Sequence, residues 1–181
     1  MNRFRLSNLL PVGIFVAIAT TMAFGLQRDP KVIPSMLLDR PIPKFELPAL
    51  SAKQPGINSA KFGPEGLVLV NVFASWCSSC RYEHPFLMNV AKDSRFKFVG
   101  MAWKDTPDHA NEYLSTFGNP YSAIGVDESG RTGIDLGVSG VPETFVVDRG
   151  GRVRLRVPGP MTPEIWKAEI EPIILAAAKS P

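Results

Sequence analysis

Cys77 and Cys80 are the only two cysteines in the chain, and two serines separate them in "NVFASWCSSCRYEHPF" (71–86). A C-x-x-C pair fits three chemistries: a structural staple, half of a metal site, or a couple that opens and closes to move electrons. Closing so small a loop stabilises a fold by only about 2 kcal/mol on the chain-entropy model, before strain is subtracted, so a staple gains little here. A zinc site calls for four ligands, and beside the cysteines the chain offers only His84 and His109, with no second C-x-x-C. His84 lies one helical turn beyond Cys80; His109 falls in an amphipathic stretch, where a lone histidine is usually a surface residue. No metal is expected. The redox reading depends on where the pair sits, and so on the elements that carry it.

"LVLVNVFA" (67–74) is a continuous run of valine and leucine type, the pattern of a strand buried on both faces. A helix follows from Ser78 to about Lys92, interrupted at Pro85. "FKFVGMA" (96–102) is a second buried-type strand. "TPDHANEYLSTFG" (106–118) opens on Thr-Pro and stops at glycine, as a helix does. A turn and short helix are expected over 127–137. "ETFVVD" (143–148) and "RVRLRV" (152–157) read as a hairpin across "RGG", and 162–179 as a terminal helix. "FELPAL" (45–50) is a short first strand, with another extended piece within 51–66. This order predicts an α/β fold: a mixed central sheet flanked by helices, its parallel strands joined by right-handed crossovers. The cysteines then fall where the first buried strand gives way to its helix. Backbone N–H groups and the helix dipole converge there and stabilise an anionic sulfur. Cys77 is expected to be exposed and to attack as the thiolate, with Cys80 one turn deeper to resolve the mixed disulfide.

A hydrophobic share of 45% suits a globular protein. The net charge of +3 comes with no basic helix and no Lys/Arg block interleaved with aromatics, so no nucleic acid partner is expected. Arg152, Arg154 and Arg156 alternate with apolar residues and read as a solvated strand face. At the N-terminus Arg3 and Arg5 precede 22 uncharged residues (6–27) before Arg28. As a helix these span about 33 Å, against a hydrocarbon core of roughly 30 Å. The run is longer than a cleaved signal needs, and "AFG" (23–25) only approximates a cleavage site. Residues 1–27 therefore read as an uncleaved signal anchor, a cleaved signal being the alternative. Residues 28–44, rich in proline and charge, read as a tether, and 45–181 as the folded domain. The arginines hold the N-terminus in the cytoplasm, so the domain faces outward into an oxidising compartment.

"LVLVNVFASWCSSCRYEHPFL" (67–87), "VGMAWKD" (99–105), "FGNPY" (117–121), "GIDLGVSGVPETFVVD" (133–148) and "VPGPMTPEIW" (157–166) occur in one order and spacing. Through them, over about residues 36–176, the chain resembles the CcmG/DsbE (CycY) family of periplasmic thiol–disulfide oxidoreductases of cytochrome c maturation. The resemblance implies a thioredoxin-like fold behind one N-terminal transmembrane anchor, in the bacterial inner membrane with the domain in the periplasm. It makes Cys77 and Cys80 the redox-active disulfide, with no bound cofactor, and Pro142 a cis-proline facing them. Trp76 becomes a lid and part of the docking surface. Glu83 and Glu143 become acidic neighbours that disfavour the thiolate and so make a reductant. Asn71 stands where ordinary thioredoxins bury an Asp, which leaves proton handling to Glu83 or Glu143. The Ser-Ser dipeptide carries no cation of the kind that makes a strong oxidant. The partners implied are apocytochrome c, or a thiol protein of its maturation, and a transmembrane electron donor of DsbD/CcdA type. The chain departs from the family at Ser139, commonly aromatic, at Phe73, frequently Trp, and in the dipeptide, which lacks Pro. A general periplasmic reductase or oxidase with other clients, and a non-catalytic docking module, are the alternatives.

Overall fold

A computed structural model describes residues 9–26, 37–64 and 66–179. The chain divides into two units, Met1–Pro34 and Ser35–Pro181. The described residues of the first form one helix, α1 (Leu9–Leu26), which carries no charged residue. Among the described residues no helix is long and apolar enough to cross a membrane. Arg3, Arg5 and Arg28, which frame the expected anchor, lie outside the described residues.

The second unit is built on a five-stranded sheet. Its strands are β3 (Val68–Phe73), β4 (Lys97–Trp103), β5 (Ala123–Asp127), β6 (Glu143–Val147) and β7 (Val153–Pro158), in the order β5-β4-β3-β6-β7. β3, β4 and β5 run parallel, while β6 and β7 are antiparallel. Every residue of β3 is buried, as its unbroken apolar run requires of a central strand. Each Val or Leu so placed contributes roughly 1.5–3 kcal/mol relative to exposure.

Two crossovers lead outward from β3 in the same direction, through α2 (Ser78–Val90) and α3 (Pro107–Phe117). A right-handed connection fixes the side on which each helix lies, so both cover one face. Leu69, Phe73, Leu87, Tyr113 and Leu114 pack there together with Ile170 and Ile174 of the C-terminal helix. The other face carries Val68, Val70, Val72, Met101 and Phe145 under the short hairpin β1 (Glu46–Leu47) and β2 (Ile57–Asn58) and beside Leu136. A five-residue helix, α4 (Arg131–Asp135), leads into Leu136.

Four local features differ from the sequence reading. The α2 helix runs through Pro85, whose missing N–H forfeits only one intrahelical bond. β5 is broken as an apolar run by Gly125, where a Cβ would lie 2.6 Å from Leu47 Cβ. The terminal helix comprises α5 (Pro163–Ile165), a π-helical turn (Trp166–Ile170) and α6 (Glu171–Lys179). The π turn ends just before Pro172, which has no N–H for the regular ladder. Finally, residues 38–42 run along β7, with Asp39 N–H donating to Val153 O at 2.8 Å and Ile42 N–H to Gly151 O at 2.9 Å.

Candidate active site

Cys77 is the N-cap of α2, with φ −89° and ψ 112°, and its Sγ accepts the Cys80 backbone N–H at 3.0 Å. A thiolate there is stabilised by that donor and by the start of the helix. The two sulfurs are joined in a disulfide, with Cα atoms 5.3 Å apart. Cys77 is 5% exposed and Cys80 1%. The expected order of depth holds, but the expectation that Cys77 is exposed does not. Both cysteines belong to the apolar cluster of Phe73, Ala74 and Leu87, and Val141 packs against that cluster. Trp76 is the exposed member of the loop, at 57%, and its Nε1 donates to Lys104 O at 3.0 Å. Beside it a groove of about 270 Å³ is lined in part by Arg81, His109, Glu112, Tyr113 and Phe117.

The Val141–Pro142 bond is cis. β3 and β6 pair from Val68↔Val147 to Val72↔Glu143, so the loop holding Pro142 lies at the end of the sheet where β3 delivers Cys77.

Glu83 lies one helical turn beyond Cys80, on the same side of α2, and is buried. Its Oε1 accepts from Asn71 Nδ2 at 3.1 Å and its Oε2 from the Met161 backbone N–H at 2.5 Å. Burial outweighs those two donors and pushes its carboxyl up from 4.5 to about 7. The sign for stability follows. A carboxyl whose pKa is higher folded than unfolded favours the native state below pH 4.5. That support is lost as pH rises through 7, and above it the difference is flat. The interval corresponds to about 3 kcal/mol. Urea unfolding of the wild type and of Glu83→Gln, pH by pH, is expected to show their stability difference changing by that amount between pH 4.5 and 8. A difference independent of pH would show that Glu83 does not titrate in this range.

Glu143 is equally buried, but on the other side of the sheet. It pairs in register with Val72, whereas Asn71 and its neighbour Thr144 face α2. Its Oε1 is ion-paired with Arg156 Nε, and its Oε2 accepts from Ser139 N at 3.2 Å and Ser139 Oγ at 3.4 Å. Arg156 Nη2 also donates to Ser139 Oγ at 3.1 Å. Two bare charges beside the thiols are therefore not what the fold provides. One glutamate is ion-paired on the far face, and Glu83 is the buried carboxyl one helical turn beyond Cys80.

A Redoxin family model matches residues 38–173. The thiol:disulfide interchange protein DsbE of Allochromatium vinosum is 44% identical over 175 residues, covering 96% of each chain. HelX of Rhodobacter capsulatus, also a thiol:disulfide interchange protein, is 38% identical over 170 residues, covering 93% of this chain and 96% of its own. A crystal structure of a thioredoxin-family thiol:disulfide interchange protein from Chlorobium tepidum superposes with a TM-score of 0.58 at 29% identity, over 76% of this chain and 94% of that one. The chain belongs to the DsbE/HelX family of thiol:disulfide interchange proteins. It is a thiol:disulfide oxidoreductase with a thioredoxin-like fold, and Cys77 and Cys80 form its C-x-x-C pair.

Several parts of the site in this DsbE/HelX protein carry no local sequence signal. Asp105, buried, accepts from Ser75 N at 2.6 Å, Ser75 Oγ at 2.9 Å and Thr106 N at 2.9 Å, and so ties the turn before Cys77 to the end of β4. Arg156, expected with Arg152 and Arg154 on a solvated strand face, has a side chain only 9% exposed because it satisfies Glu143. Arg152 and Arg154 do stay at the surface, donating to Asp39 O at 2.7 Å and pairing with Asp39 Oδ1 at 2.9 Å. His84 is not free to bind a metal. Its Nδ1 faces the Tyr113 hydroxyl at 3.0 Å and its Nε2 the Gly118 carbonyl at 3.0 Å. A carbonyl can only accept, so Nε2 carries the proton and Nδ1 accepts from Tyr113. Burial holds the imidazole below its usual range. His109 is exposed on the groove beside Trp76. Among the described residues no three His, Cys, Asp or Glu are placed to hold a metal ion.

Proposed function

We propose that the chain is a membrane-anchored periplasmic reductant of cytochrome c maturation, acting on the haem-attachment cysteines of apocytochrome c or on a thiol carrier that handles them. The observation that carries this reading is the stack along α2: a capped sulfur at Cys77, its partner one turn in, and a buried carboxyl one turn further with a pKa near neutrality.

The Cys77 thiolate attacks one sulfur of the client disulfide. That bond breaks, a mixed disulfide forms, and the client's other sulfur leaves as a thiolate and takes up a proton. Cys80 then gives its proton to the Glu83 carboxylate and attacks Cys77 Sγ. The mixed disulfide breaks, the Cys77–Cys80 bond forms, and the client's second sulfur leaves as a thiolate that takes up the proton held by Glu83. Two electrons pass from the protein dithiol to the client, with two protons. A buried carboxyl of pKa near 7 serves such transfer because both of its states are populated at neutral pH. Its charge also disfavours the neighbouring thiolate, which weakens the reduced form and favours a reductant. Trp76 and the Pro142 loop are assigned to client docking, with extended backbone pairing beside the proline. A DsbD/CcdA-type transmembrane dithiol would restore the reduced state.

In this reading residues 1–27 anchor the protein. Residues 38–42 of the proposed tether of 28–44 run along β7. The test is capture of mixed disulfides with Cys80→Ala in the native host, with membrane fractionation of the same cells. Cytochrome c maturation proteins joined to Cys77 in the membrane fraction are expected. Normal covalent haem attachment in cells lacking Cys77 would refute the maturation role.

A further inference from the structure

Glu83 is held by Asn71, and Asn71 is itself held. The Tyr121 hydroxyl donates to Asn71 Oδ1 at 2.7 Å, while Asn71 Nδ2 donates to Glu83 Oε1 and to Thr144 Oγ1, each at 3.1 Å. Asn71 and Tyr121 are both buried. An amide has two ends, and only one arrangement presents N–H to a carboxylate. Were the amide reversed, its oxygen would face Glu83 Oε1 and its N–H groups would face the phenol oxygen. The phenol hydrogen would then lose the one acceptor it has here, at the full cost of a buried unpaired donor. The hydroxyl thus selects the orientation in which Asn71 stabilises the ionised carboxyl.

The ring that carries this hydroxyl is fixed in place. Tyr121 stacks on Phe73 with centroids 5.1 Å apart and lies 5.1 Å from Phe98. Gly100 is the register partner of Asn71, and a Cβ there would come within 2.6 Å of the Tyr121 ring. A glycine at this point of β4 is what lets the ring cross the strand and reach Asn71.

We propose that Tyr121 is a positioning residue for the exchange reaction: by fixing the Asn71 amide, it sets the proton affinity of Glu83. The proposal rests on the proton-accepting role given to Glu83 above only where it speaks of the reaction; the coupling itself holds in the oxidised protein. The titratable and charged groups on the α2 side of the sheet include Tyr121, Tyr113 from α3, His84 and Arg81 of α2, Asp105 at the turn before Cys77 and, when reduced, Cys77 and Cys80. Glu143 and Arg156 lie on the opposite face. Burial, followed by the Glu83 charge, pushes Tyr113 up to about 12 and Tyr121 well above the ordinary phenol value. The Tyr121 hydrogen is therefore present throughout the range in which Glu83 titrates.

The test is a carboxyl ¹³C NMR titration of Glu83 in the oxidised full-length protein, in wild type, Tyr121→Phe, Asn71→Ala and the double variant. Tyr121→Phe is expected to move the Glu83 midpoint upward by about one pH unit, the worth of one hydrogen bond. In the Asn71→Ala background the same change is expected to do nothing, because the path runs through the amide. Tyr121→3-fluorotyrosine keeps the ring's place and makes a stronger donor, and is expected to move the midpoint downward. An unmoved midpoint in both Tyr121 variants, or an equal shift without Asn71, would overturn the inference. The pH profile of disulfide reduction separates the two readings. If the NMR midpoint moves and the rate profile does not, the coupling stands and the role of Glu83 in proton transfer falls.

Discussion

Replacing Cys77 by serine is expected to reduce disulfide-reductase turnover to the uncatalysed background, a loss on the order of 10³-fold or more. The serine keeps the N-cap, since its oxygen can accept the Cys80 N–H, so α2 stays intact. What is lost is the sulfur nucleophile, which a hydroxyl does not replace. Cys80→Ala is expected to behave differently: it attacks once through Cys77 and stops at the mixed disulfide. Turnover with insulin or a disulfide peptide, together with mass spectrometry of the trapped species, checks both. Equal yields of trapped mixed disulfide from the two variants would mean that the cysteines do not divide the work as capped nucleophile and deeper resolver.

The second large effect concerns stability. Arg156→Ala leaves the Glu143 carboxylate buried at 1% exposure with only Ser139 to serve it. Stranding a charge in this way costs about 3–5 kcal/mol, a fall in Tm on the order of 10 °C. Changing Glu143 to Gln in the same chain removes the stranded charge and is expected to recover most of the loss. Denaturant melts of both variants decide the matter. A loss below about 1 kcal/mol in Arg156→Ala would mean the pair behaves as an exposed surface bridge. Because Ser139 and Glu143 flank Pro142, the same variant is also expected to loosen the loop at the end of β6 and to weaken client binding.

The parts of this structure that could be read from residues alone are those set by local pattern. β3 and β4 announce themselves as unbroken apolar runs, α3 by Thr106 before Pro107 and Gly118 at its end, and the active-site turn by its C-x-x-C at a strand-to-helix junction. What escaped depends on residues far apart in the chain. β5 carries a glycine at its centre because a hairpin from far earlier in the chain packs on Gly125, a requirement invisible within "AIGVD". Glu83 and Glu143 look alike in sequence. The β3–β6 register puts one beneath the cysteines and the other across the sheet. Arg156 looks like Arg152 and Arg154 until Glu143 is placed beside it. Asp105 and Tyr121 had no reason to be singled out, since each gains its role only when β4 and the loop before β5 are set against β3. The depth of Cys77 is hidden from local pattern for a related reason: a helix N-terminus is an open position only until the neighbouring loops close over it.

One experiment goes to the heart of the mechanism. The protein is reduced, freed of reductant, and mixed in a single turnover with an oxidised peptide bearing a C-x-x-C disulfide, and thiols are counted on both partners as the reaction proceeds. The expected result is one peptide disulfide reduced for each Cys77–Cys80 bond formed, and none with Cys77→Ser. Peptide that stays oxidised while both protein thiols persist would contradict the assignment of this site as an electron donor.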